Sequence, residues 1–152
     1  ENILHRMFKT YENGNHEAKP NIRTFSTVLN ACAYTNGDKA ARIEAFQVSR
    51  KVLKEILGGN YGSPNEIVFS TFLKCCSLIP GGHQRDELAA SIFHECCSRG
   101  LVDVKVILNL RRALSSDRLN QVLDGTKLAY GHVEMTSIPK QWQEKVNKNF
   151  YK

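Results

Sequence analysis

Ser26 and Ser70 each follow an aromatic residue in two similar stretches, Phe25-Ser26-Thr27 and Phe69-Ser70-Thr71. A serine hydroxyl both donates and accepts hydrogen bonds, and its small side chain leaves room for a base edge to approach. Recurrence at one position of a repeated element therefore suits the reading of unpaired bases along a strand. The same residues also suit the crossing of two helices, where small polar side chains fit at the outer edge. Arg23, Lys74, Lys105, Arg111 and Arg112 fall near these positions and are candidates for holding phosphate, each neutralised phosphate making association more salt-sensitive. Solvation of an ordinary surface accounts for the same cations equally well.

Other chemistry finds less support. Cys75-Cys76 and Cys96-Cys97 fall on two segments that could face each other, with His94 nearby. Structural zinc draws on ligands separated by about two residues, whereas adjacent residues on a helix point about 100° apart, so these thiols read as small packing residues and no metal is expected. His5, His16, His83, His94 and His132 show no partner pattern. Gly58-Gly59 and Gly81-Gly82 read as helix stops, and no nucleophile elbow, phosphate loop or carboxylate constellation is present. No catalytic residue, enzymatic activity or cofactor is expected.

The elements that would position these side chains repeat. Pro20-Asn21-Ile22-Arg23-Thr24-Phe25-Ser26-Thr27-Val28-Leu29 returns as Pro64-Asn65-Glu66-Ile67-Val68-Phe69-Ser70-Thr71-Phe72-Leu73. A single helical hairpin cannot bury its apolar face and must be covered by a neighbour, so self-similarity of this length predicts an all-α, alpha-alpha superhelix of stacked hairpins. Asn21 to Asn65 spans 44 residues and Asn65 to Asp103 spans 38, which places the difference in the loops. Apolar spacing predicts helices over Asn2–Tyr11, Asn21–Tyr34, about Ala40–Leu57, Ile67–Ile79, Asp86–Arg99, Leu101–Ser115 and Arg118–Gly125. Tyr130-Gly131-His132 reads as a turn. Pro139 should open a last helix over Lys140–Phe150, anchored by Trp142 and Val146 and folded back over the third hairpin.

The segments Lys19-Pro20-Asn21 through Asn30-Ala31-Cys32, and Pro64-Asn65 through Phe72-Leu73, resemble pentatricopeptide repeats. Ala45-Phe46 to Ile56 and Ala89-Ala90-Ser91-Ile92-Phe93 to Gly100 are similar to the second helices of that family. The resemblance implies a division into residues 1–18 as the second helix of an incomplete repeat, repeats at 19–62 and 63–101, a degenerate terminal hairpin at 102–126, and a basic tail with a short helix at 127–152. It implies single-stranded RNA or rRNA as partner, in a mitochondrion or plastid. By the same resemblance, Ser26 would read a base together with Asn65, and Ser70 together with Asp103. Both spacings exceed the family's usual period, and Ile107 and Leu108 stand where the third aromatic and reading residue would fall.

The charge balance agrees with an anionic partner without requiring one: 21 Lys and Arg against 15 Asp and Glu leave +6. Lys140, Lys145, Lys148 and Lys152 make the tail locally positive. No run is long and apolar enough for membrane insertion, the five cysteines suit a reducing compartment, and no obligate homo-oligomer is expected. Two intact units would address about two nucleotides, each pair contributing at most about 3 kcal/mol of discrimination. The expected function is thus a non-catalytic RNA-associated module or a structural subunit of a ribonucleoprotein. The alternative is a protein–protein adaptor in a large organellar complex, touching neighbouring proteins and no RNA.

Overall fold

The computed structural model describes residues 3–123, 128–129 and 132–146. The chain is an all-α, multi-helix fold with α1 Ile3–Glu12, α2 Ile22–Ala33, α3 Lys39–Leu57, α4 Glu66–Cys76, α5 His83–Ser98, α6 Val104–Ala113 and α7 Ser116–Val122. The extended pairing among the described residues is two residues long, β1 Leu128–Ala129 antiparallel to β2 His132–Val133.

Three helices start in the same way, which explains why their faces align. Asn21, Asn65 and Asp103 are the N-caps of α2, α4 and α6, all with extended backbone. Each side-chain oxygen accepts from the amide three residues on, at Thr24, Val68 and Val106. Such a cap satisfies a backbone donor that the helix cannot satisfy itself, a contribution of about 1 kcal/mol. Thr24 also returns a hydrogen-bond acceptor to the Asn21 amide, completing a capping box. Four residues beyond each cap the buried anchor recurs: Phe25, Phe69 and Ile107 are 1%, 0% and 0% exposed.

α2 packs on α3 and on α4, α4 packs on α3, α5 and α6, and α5 packs on α6. One continuous core threads these helices through Phe25, Leu29, Phe69, Phe72, Phe93 and Leu110. Burying each such side chain stabilises the fold by about 1.5–3 kcal/mol. α1 joins through Phe8, whose ring lies 6.3 Å from Phe25 and 5.9 Å from Tyr61. Cys76 and Cys96 are fully buried on α4 and α5, where small side chains let the helices approach. Asp86 on α5 ties that helix to the α6–α7 turn, accepting from the Ser115 amide at 3.0 Å and from its hydroxyl.

Several boundaries differ from the sequence expectation. α4 stops at Cys76, because the amides of Ser77 and Leu78 bond back three residues in a tight turn ahead of Pro80. α6 begins at Val104, since Asp103 is its cap and Leu101 and Val102 are buried in the preceding junction. α7 ends at Val122, and residues 124–127, together with Tyr130 and Gly131 of the expected turn, lie outside those described.

The expected helix from Lys140 is replaced by 3-10 turns at Met135–Ser137 and Lys140–Gln143; its expected continuation beyond Val146 lies outside the described residues. Its backbone groups are used elsewhere. The Trp142 carbonyl accepts from the Val102 amide at 2.7 Å, and the Lys145 amide donates to the Gly100 carbonyl at 2.9 Å. Trp142 does fold back, but onto the second hairpin, its ring edge-on to Phe93 at 5.7 Å. Gly100 makes this docking possible: its φ is +71°, and an added Cβ would lie 3.2 Å from the Gln141 carbonyl oxygen.

Candidate nucleic-acid interface

The face formed by α2, α4 and the start of α6 holds a groove of about 350 Å³. Asn30 and Tyr34 border it from α2; Glu66, Ile67, Ser70, Thr71 and Lys74 border it from α4; Asp103, Lys105 and Asn109 complete it. The shared capping scheme puts equivalent positions of successive helices along this surface.

The structure brings some of the expected residues together. Ser70 is 7% exposed, and its Oγ accepts from Asn109 Nδ2 at 3.0 Å. Asn109 Oδ1 in turn accepts from Arg112 Nη1 at 3.3 Å, which fixes the amide's orientation. The hydroxyl proton of Ser70 meets no acceptor among the described residues. Asp103 is 5% exposed, and its Oδ1 is spent on the α6 cap. Glu66 is equally buried beside the same groove. Two carboxylates at the base of a groove are acceptors for an amino group entering it.

Other expected residues stand apart. Asn65 uses its oxygen as the α4 cap and does not line the groove, and neither do Ser26 and Arg23. Ser26 is half-buried and makes no side-chain hydrogen bond among the described residues. Arg111 is half-buried in the last turn of α6. Leu108, at the place equivalent to Ser26 and Ser70, is 40% exposed.

The sequence reading passed over Tyr34. It lies off the apolar stripe of α2, caps that helix at its C-terminus, and is 62% exposed. The Lys74 ammonium sits 3.1 Å from its ring centroid, over the ring face. Lys74, over the ring, draws the Tyr34 phenol below its ordinary value of 10.0 against some desolvation, and the charges of Lys105 and Arg112 add to the effect. Lys74 thus lies over the exposed ring, and Lys105 shares the groove with it. At 62% exposure, Tyr34 keeps accessible surface beyond its contact with the Lys74 ammonium. Ile67, 47% exposed, supplies an apolar contact beside it. An aromatic outside the core stripe was the signal available in sequence; its pairing with Lys74, 40 residues away, was not.

The cysteines show no comparable arrangement. Burial pushes the thiols of Cys75, Cys76 and Cys97 up to about 12 and that of Cys96 higher still, with Asp103 and Glu66 adding to the last. All five cysteines are free and buried, and among the described residues no group of three potential ligands gathers around a common point. No helix among the described residues is long and apolar enough to cross a membrane. Comparison with protein families, curated proteins and solved structures finds no match for this chain.

Proposed function

We propose that this chain is a non-catalytic helical-repeat module that binds single-stranded RNA across the groove between α2, α4 and α6. The observation that carries the reading is Tyr34, exposed in the groove lining with the Lys74 ammonium over its ring and Lys105 in the same lining. A base stacks on an aromatic face whatever its identity, and adjacent cations take the phosphates on either side. Asn109, Ser70 and the carboxylates below offer donors and acceptors that a flat duplex surface could not reach.

The matched caps, the matched anchors and the packing of α2 on α4 and α4 on α6 support a tandem hairpin solenoid of the pentatricopeptide type. Under that reading the module works in an organelle, as an RNA-binding factor or as a structural part of a ribonucleoprotein assembly. Ser70 with Asp103 then forms the better-placed reading pair, since both line the groove, while Ser26 and Asn65 do not.

Fluorescence anisotropy with a labelled single-stranded oligoribonucleotide, set against the same sequence as a duplex, tests the proposal. Preferential, salt-sensitive binding to the single strand is expected. Equal affinity for the duplex, or binding that ignores salt, would overturn it.

A further inference from the structure

A second groove, of about 640 Å³, lies on a different face and has the opposite character. α3 and α5 form its walls and Phe72 of α4 forms its floor. Leu53, Phe72 and Ile92 close the bottom, and half-buried Leu57 and Leu88 project at the sides. Along the α3 wall run Gln47, Arg50, Lys51 and Lys54, a spacing that keeps them on one strip of a helix. Among the described residues, Arg50, Lys51 and Lys54 make no ion pair; the ion pairs there join Arg99 to Glu95 and Arg118 to Glu87.

From this we propose that the α3/α5 groove docks an acidic amphipathic helix of a protein partner. An apolar floor asks for an apolar stripe, and an unpaired cationic rim asks for carboxylates flanking it. The α3 wall from Gln47 to Leu57 runs for about 15 Å, which fits about three turns of helix. Carboxylates spaced three or four residues apart on that helix would meet Arg50, Lys51 and Lys54 in succession. RNA is the poorer occupant, because the aromatic in this lining, Phe72, is 1% exposed and offers no face on which a base could stack. The proposal is independent of the RNA reading, since none of its residues belongs to the Tyr34 face.

The probes are fluorescein-labelled peptides of about 14 residues designed as amphipathic helices. One carries Leu on one face with Glu flanks; a second replaces Glu by Lys; a third replaces Leu by Ser. Lys51→Glu/Lys54→Glu and Leu88→Asp are compared with the wild-type protein, with helicity followed by circular dichroism, and Lys74→Ala serves as the opposite-face control. Micromolar binding of the Leu/Glu peptide alone is expected, weakened at least about ten-fold by either groove change and unmoved by Lys74→Ala. Equal binding of the Lys peptide, no binding of the Leu/Glu peptide at about 100 µM, or retention of affinity by both folded groove variants would overturn it. So would a loss of oligoribonucleotide binding in Lys51→Glu/Lys54→Glu, or self-association of the wild-type chain that the same changes abolish, because the groove would then belong to RNA or to a second copy.

Discussion

Replacing Tyr34 by alanine removes the one exposed ring on the proposed RNA path and should leave the fold intact, since the side chain is 62% exposed and belongs to no core contact. Stacking of a base on an aromatic contributes about 1–3 kcal/mol by alanine substitution, so affinity should fall between about 5-fold and 150-fold. Tyr34→Phe keeps the ring and should bind nearly as well as the wild type. The cations act through salt. If Lys74, Lys105 and Arg112 each neutralise one phosphate, log K should fall against log salt with a slope of about −2, a loss of about twenty-fold between roughly 50 and 200 mM. Lys105→Ala should reduce that slope by about 0.7 for every sequence tested, as loss of a backbone contact requires. Lys74→Ala should do the same and further loosen Tyr34, whose ring its ammonium covers. Anisotropy titrations of an RNA dodecamer at four salt concentrations measure both effects. An unchanged affinity in Tyr34→Ala, or a wild-type slope near zero, would refute the assignment of this face.

Four further outcomes concern the fold. With thiols buried and pushed up to about 12 at Cys75, Cys76 and Cys97, iodoacetamide at pH 8 should leave the native protein unmodified and alkylate all five cysteines once it is unfolded in guanidinium. Because the folded values lie above the ordinary 9.0, these thiols contribute stability that is complete below pH 9 and is lost between 9 and about 12; each should lower stability by up to about 1.4 kcal/mol per pH unit in that window, visible as a falling urea midpoint. Gly100→Ala forces a left-handed residue to carry a Cβ against the Gln141 carbonyl, and should cost about 1–2 kcal/mol while red-shifting the emission of Trp142, the sole tryptophan. Asp86→Ala removes the acceptor of two donors of exposed Ser115 and should destabilise by about 1–2 kcal/mol in urea, with Asp86→Asn recovering part of the loss.

What could be read from the sequence was whatever recurs locally. Proline, asparagine, aromatic and serine at fixed offsets marked α2 and α4, because caps and anchors are short-range features. Glycines and prolines marked most of the breaks. What escaped depends on contacts between distant segments. Tyr34 looked like a helix end until Lys74 was found over its ring. Ser70 looked like a free hydroxyl until Asn109, 39 residues on, was found bonded to it. The segment after Pro139 has too few apolar positions to hold a helix, and its amides and carbonyls bond to the α5–α6 junction, so no local pattern announced its shape.

Under the proposed reading, the third unit separates what a hairpin needs to fold from what a base-reading position needs. Asp103 caps α6 as Asn65 caps α4, and Ile107 fills the place of Phe69 with no loss of burial. The hairpin therefore needs only a capping side chain and an apolar anchor, and tolerates a change of anchor type. The next position obeys a different constraint: Ser70 turns a hydroxyl into the groove, whereas Leu108 presents a side chain that has no hydrogen bond to offer. Under the proposed reading, base discrimination should stop at the Ser70 and Asp103 pair while backbone contacts continue through Lys105 and Arg112. Leu108→Asn separates the two: it should leave the unfolding free energy in urea within about 0.5 kcal/mol, since the position is exposed, and add base preference at one further nucleotide. A destabilised Leu108→Asn would mean that the exposed leucine serves packing, and an unchanged preference in a stable one would mean that the strand has left the surface before α6.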